Sequence, residues 1–256
     1  MSSRVRTSVF LVAGIVFLCL NCYSVLNMPP WGEYRGPYGD FISHMAVYER
    51  HATDVVNAVN YDYRAFDTLE EEFILFSAVL GVCMLLRREE DGSGGGDEQK
   101  GRGGQKLRDE QKMSAAVRAI NLPAALVTLI FGFYIGTHGA LTPGGGFQAG
   151  VILATGPLLV FVCENPTAFR RITSSTALEV IESIGAGSYA LIGLAAVAAG
   201  LPLLTNFLPL GKTGTPFASG TIALISFCVG VEVTAAFTLV ISTYLEEVMA
   251  GERPED

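Results

Sequence analysis

Charge is what this sequence has least of. Only 16% of its 256 residues are Asp, Glu, Lys or Arg, where a soluble domain carries about a quarter. Half of the residues are hydrophobic and the mean hydropathy is +0.41, so the composition fits lipid as the solvent. Positive charge is the scarcer sign: 17 Lys and Arg against 25 Asp and Glu leave a net charge of −8. That balance excludes a nucleic-acid surface, which needs a basic face. Cysteine is sparse and unpatterned. Cys19, Cys22, Cys83, Cys163 and Cys228 all sit in apolar runs, an odd and scattered set with no disulfide framework and no metal spacing. Cys19-x-x-Cys22 has a redox spacing but no βαβ context. Of the three histidines, His44 and His51 are seven apart on one helical face, yet no carboxylate or cysteine completes a ligand set. Gly211-Lys-Thr213 is not a phosphate loop, because Asn206 stands where its first glycine belongs and no strand precedes it. The sequence therefore carries no catalytic, cofactor or metal motif.

What it has is long apolar runs, enough for an all-α integral membrane bundle of six crossings arranged as two plus four. About 20 residues span a bilayer, and Val5–Leu26 is the first candidate. Its basic start also fits a signal peptide, but no small-x-small cleavage site follows and 22 residues suit an uncleaved helix. Asn27–Asp67 is a polar, aromatic-rich loop suited to a membrane interface, with a short surface helix expected over Ala46–Val59. Thr68–Leu86 is the second crossing, with Thr68 as N-cap and Glu70, Glu71 and Glu72 in its first turn, where the helix dipole favours acids. Three adjacent acids point around much of the helix, so at least one must face protein. Glu89–Lys112 is Gly-rich and charged, a flexible tether by composition. Ala115–Gly136, kinked at Pro123, Gln148–Cys163, Ala177–Leu204 and Ala218–Leu245 complete the set. The division is a two-helix module over 1–88, a linker over 89–113, a four-helix domain over 114–250 and an acidic tail over 251–256.

Two features break the apolar pattern. Between the third and fourth crossings lies His138–Gly150, H-G-A-L-T-P-G-G-G-F-Q-A-G. Proline removes a backbone donor and each glycine costs about 1 kcal/mol in a helix interior, so this stretch is irregular backbone. At membrane depth it survives only where protein or water satisfies it. The second feature is Glu232, in the middle of the last run with no basic residue within a helical turn or two. A central acid costs ~2.5–3.5 kcal/mol on insertion scales and commonly marks an ion or proton pathway. Glu182 lies a turn deeper in the fifth run than Glu179. No lysine falls inside a run, so the chain alone is under-equipped to drive transport. An even number of crossings puts both termini on one side. With the termini inside, thirteen basic residues are cytoplasmic and four, Arg35, Arg50, Arg64 and Lys212, are outside, a positive-inside pattern. His138 and Glu70–Glu72 then lie on the outer half.

T-P-G-G-G-F-Q-A-G-V-I-L-A, with His138 upstream, resembles the signature of the B subunit of Mrp (Mnh) multisubunit cation/proton antiporters, a module that recurs in ion-translocating membrane-bound hydrogenases. The resemblance covers about Met113–Leu245. Separately, D-Y-R-A-F-D-T-L-E-E-E over Asp62–Glu72 is similar to an element near the C-terminal end of the antiporter A subunit, or to the small two-helix subunit that replaces it in the hydrogenases. Glu70 replaces the usual glycine, so the resemblance transfers importance to Glu71, with Arg64, Asp67 and Thr68. Ala149 also stands where glycine is usual. The resemblance implies a fusion of two subunit pieces and an accessory role in exchanging Na+ and H+ without chemistry of its own. The partners it implies are the bilayer, large antiporter-like subunits and a small C-type subunit; the location is the cell (inner) membrane. The alternative is a purely structural arm subunit of a redox-driven complex. Glu232, Glu71, His138, Glu182 and Asp67 are the path candidates, and Pro143, Gly144, Gly145, Gly146, Phe147 and Gln148 form the structural motif.

Overall fold

The computed structural model describes residues 3–28, 32, 36–86, 115–163, 169, 173–216 and 218–251, and every regular element among them is helical. The Gly-rich linker, Arg170, Arg171 and the tail beyond Gly251 lie outside the described residues. The chain divides into two compact units, Met1–Phe41 and Ile42–Asp256.

The first unit carries α1, Ser3–Leu26. Its 24 residues rise about 36 Å at 1.5 Å each, more than the ~30 Å hydrocarbon thickness. Asn21 and Asn27 donate to the carbonyls of Phe17 and Tyr23, at 2.9 and 2.8 Å, which settles their amides locally. Helix α2, Pro37–Arg50, straddles the boundary and starts with proline, which has no N–H to orphan.

In the second unit the chain breaks at His51, held at a φ of 54°, where one helix over Ala46–Val59 was expected. The helix restarts as α3, Val55–Ala58, capped by Asp54 accepting from the Val56 N–H at 3.0 Å. A π-helical turn, Val59–Tyr63, then leads into α4, Ala65–Leu86. Thr68 is thus inside the first turn and buried, and it does not cap the helix. The cause is the π turn, which carries the chain round to helical geometry three residues earlier.

The remaining elements are α5, Ala115–Thr137; α6, Gly146–Cys163; α7, Ser175–Ala198; and α8, Thr221–Gly251. Helix α5 runs through Pro123 and α6 through Pro157. Helix α7 stops six residues short of the expected Leu204. Gly200, at a φ of 79°, ends it, with the Leu201 N–H reaching back to the Ala196 carbonyl, a Schellman closure. Helix α8 begins later than expected, because Ser219 and Gly220 both take positive φ. The Asn206 side chain closes that corner, accepting from the Thr221 N–H and donating to the Ser219 carbonyl, both at 2.9 Å.

Helix α8 is the axis of this unit. Helices α6 and α7 pack along it, α5 packs on α6, and α4 lies against α8 and α7. One core joins Tyr61, Ala65 and Tyr189 to Ile222, Ile225, Val229 and Val233; another joins Val79 and Leu178 to Ala235, Ala236 and Leu239. Among the described residues four stretches are long and apolar enough to cross a membrane: Thr7–Leu26, Ala119–Thr137, Ser175–Ala198 and Thr221–Leu245. Gly146–Phe161 is a shorter apolar helix, and α4 carries three acids near its start. The protein is a helical membrane bundle.

Candidate functional site

Small residues decide how closely the helices approach α8. A Cβ on Gly146 would lie 2.0 Å from the Ser226 carbonyl oxygen, and one on Gly150 would lie 2.6 Å from the Val233 Cβ. On the opposite flank, a Cβ on Gly185 of α7 would lie 2.6 Å from the Cβ of Glu232 and 2.8 Å from its Cα. Backbones therefore nearly touch on both sides of α8, as small residues permit in membrane bundles. Glu232 sits in that seam, fully buried.

Two more carboxyls are brought beside it. Glu72 of α4 and Glu182 of α7 are also buried, and the charge each presents acts on Glu232. Both oxygens of Glu182 and of Glu232, and Oε2 of Glu72, lack a hydrogen-bond partner. Glu72 and Glu232 face each other as neighbours without a closed bond between them. Among the described residues no group of three or more His, Cys, Asp or Glu converges tightly enough to hold a metal ion. The three carboxyls thus form a string with Glu232 in the middle and do not make a chelating cage. Buried polar atoms almost always have partners, and five of the unpartnered ones among the described residues are oxygens of this string.

Tyrosines flank the string. Tyr61, buried in the π turn, has Glu72 nearby, and its hydroxyl faces the Ser226 side chain and the N–H groups of Gly146 and Phe147. Tyr189, fully buried, donates to the Ala65 carbonyl at 2.7 Å and neighbours Tyr61 and Glu72. Ala65 also lines a pocket of about 490 Å³ with Arg50, Asp62, Arg64, Asp67 and Thr205. There Arg50 pairs with Asp62 at 2.8 Å and lies 5.0 Å over the Tyr63 ring. Arg64 pairs with Asp67. Burial, with the Glu49 carboxylate accepting its hydrogen bond at 2.5 Å, pushes the Tyr63 phenol up to about 12.

The sequence-named residues are dispersed over this geometry. Glu232 and Glu182 are in the string. Glu71 is exposed beside it, and the neighbour that turns inward is Glu72. Asp67 lines the pocket. His138 is half-buried at the end of α5, stacked on Tyr134 at 4.3 Å, with its Nδ1 3.0 Å from the Tyr134 carbonyl, and it meets none of the carboxyls named here. Pro143 and Gly144 belong to the turn that follows. This turn is covered by protein. The N–H groups of Thr53 and Asp54 donate to the Ala140 carbonyl at 3.0 and 3.2 Å, the Thr53 hydroxyl donates to the Leu141 carbonyl at 2.6 Å, and buried Asn57 donates to the Gly139 carbonyl. Gly145, at a φ of 138°, leaves no room for a Cβ beside the Asn57 amide. Gly146, Phe147 and Gln148 open α6, with Phe147 edge-on to Phe237 at 6.2 Å. Sequence reasoning missed Glu72, Tyr61, Tyr189 and Asn57. Helical phase within the acidic triplet was the one available signal, and it serves only for Glu72.

A helical membrane bundle with a buried, unpaired carboxyl on its central helix and two more on helices packed against it defines the class. Within it, residues 116–239 match the family described as a domain related to the MnhB subunit of Na+/H+ antiporter, so this segment is MnhB-like. The chain is 28% identical to an uncharacterised protein of Methanocaldococcus jannaschii over 202 residues, 72% of this chain and 76% of that one. Its fold is similar to a chain of the membrane-bound sulfane sulfur reductase, an archaeal respiratory membrane complex, with a TM-score of 0.66 and 24% identity over 93% of this chain and 98% of that one. It is also similar to a chain of the Mrp complex from Dietzia sp. DQ12-45-1b, with a TM-score of 0.65 and 20% identity, covering all of this chain and 27% of that one.

Proposed function

We propose that this protein is an accessory membrane subunit of a multisubunit cation/proton antiporter and lends the complex part of its ion path. One observation carries the reading: Glu232 is buried without a partner, between Glu72 and Glu182, inside an MnhB-like domain. A carboxyl held in an apolar seam is costly, and a string of three gives a proton or small cation successive places to rest. In this reading Glu232 is the central site and Glu182 and Glu72 flank it, with Glu71 at the near end of α4, Asp67 in the pocket, and His138 at the turn as an outer member. The chain has no chemistry of its own.

The remaining parts of the proposal rest on sequence. The two-helix module over 1–88 and the four-helix domain over 114–250 are two subunit pieces joined by the linker, with six crossings and both termini in the cytoplasm. The partners are large antiporter-like subunits and a small C-type subunit in the cell membrane, and the exchanged ions are Na+ and H+. The likeness to the sulfane sulfur reductase chain is one of fold, so the redox-driven arm takes second place.

Glu232→Gln tests this in the assembled complex. The substitution keeps shape and removes charge; cation/proton exchange is expected to be lost while the subunit still copurifies with the complex. Glu70→Gln, on the exposed face of α4, should leave exchange intact. Normal exchange in Glu232→Gln removes the ion-path role.

A further inference from the structure

We infer that the pocket framed by Asp62–Asp67 and Leu203–Asn206 is the aqueous mouth through which a small monovalent cation or hydronium ion reaches Glu72, Glu232 and Glu182. The inference rests on reading those carboxyls as an ion path and adds the side from which they are fed. The pocket and the string share a wall. Ala65 lines the pocket, and its carbonyl takes the Tyr189 hydroxyl at 2.7 Å. Tyr189 in turn neighbours Glu72 and Tyr61. Tyr189 therefore reaches from the wall of a volume of about 490 Å³, room for many waters at ~30 Å³ each, towards the first buried carboxyl.

The charges favour a cation over an anion. In the pocket each arginine is matched by a carboxylate, Arg50 by Asp62 and Arg64 by Asp67, so neither sign dominates the mouth. Past the tyrosines the charges that act on Glu72, Glu182 and Glu232 are all carboxyls. A neutral mouth opening on an acidic interior admits cations and rejects anions. Further polar atoms continue the lining. Asp62 Oδ2 beside the pocket is buried without a partner, and the Ser226 side chain faces the Tyr61 hydroxyl, which suits a track that water or an ion occupies.

Thr205→Cys tests the mouth, since Thr205 lines the pocket. The assembled complex in sealed vesicles is treated from either face with the membrane-impermeant cation trimethylammonium-ethyl methanethiosulfonate, with the parent complex as control for its own cysteines. Labelling of Thr205→Cys from one face, with loss of exchange, is the expected result, while labelling of Thr213→Cys, on the exposed loop nearby, leaves exchange unchanged. A Thr205→Cys thiol that is not labelled from either face, or is fully labelled with normal exchange, overturns the inference. If Glu232→Gln has abolished exchange in that case, the carboxyl string stands and only its mouth lies elsewhere. If Glu232→Gln exchanges like the parent, the reading underneath has failed and the mouth fails with it.

Discussion

Helices α5 and α8 are nearly alike in hydropathy and opposite as structural parts. Their membrane-length stretches have mean hydropathies of 1.8 and 2.2, yet 11% of the first is buried in the bundle and 56% of the second. Helix α5 turns Leu126, Val127, Ile130, Phe131 and Phe133 outward. Helix α8 buries Ile225, Val229 and Val233 together with Ser226, Glu232 and Thr238. Hydropathy identifies the solvent a helix tolerates and is silent on whether lipid or protein covers it. What separates the two is the company of small residues. Gly146, Gly150 and Gly185 let neighbouring backbones close on α8, and in the tight seam so formed a carboxyl is fully buried.

The comparison breaks most readily at Gly146→Ala. The added Cβ meets backbone atoms of Ser226 and Gly230, which cannot swing aside, so α6 and α8 must part. The cost should reach or exceed about 3 kcal/mol, the upper end of overpacking, and appear as loss of folded subunit on purification. Gly187→Ala on α7 has nothing within 4 Å of its new Cβ and should gain up to about 1 kcal/mol of helix propensity. Next, Ile225→Ala on α8 should cost about 2–3 kcal/mol as a buried truncation, while Ile130→Ala on α5 should stay within about 0.5 kcal/mol; thermal unfolding in detergent compares them. Equal losses would erase the distinction between the helices. Asn57→Ala should cost about 1–3 kcal/mol by stranding the buried Gly139 carbonyl, a loss felt in the turn that carries α5 into α6.

The smallest effect is at Asp54, over the same turn. Burial raises its pKa, outweighing the N–H groups of Val56, Asn57 and Gly144. A carboxyl whose folded pKa is raised supports the fold fully below its ordinary value of 3.8 and loses that support as pH rises through the folded value. Asp54→Asn should therefore raise the unfolding temperature at neutral pH, an advantage that shrinks on acidification towards 3.8. An advantage that grows in acid would contradict the burial argument.

Much of the architecture was legible in the residues. Apolar run length marked the four membrane-length helices to within six residues, and the triple glycine marked the turn that α5 and α6 share. Glu232 stood out because its surroundings are apolar and uncharged. Other features depended on contacts no local pattern encodes. Which acid of Glu70–Glu72 turns inward depends on the rotation of α4, and the π turn over Val59–Tyr63 sets where that helix begins. Such turns often accompany functional positions, but nothing in V-N-Y-D-Y announces one. Asn57 and Thr53 reach the glycine turn across some 80 residues of sequence, 82 between Asn57 and Gly139. His138 drew notice as a titratable group beside glycines, whereas its ring bonds are to its own helix, with Tyr134 and Thr137.

The central claim is that Glu72 and Glu232 serve one path in series. Exchange rates of the assembled complex carrying Glu72→Gln, Glu232→Gln and both together measure it directly. Groups acting as one unit are non-additive, so the account requires the double variant to be no slower than the slower single one. A double variant slowed by the product of the two single effects would mean that the two carboxyls act independently, and would contradict the account.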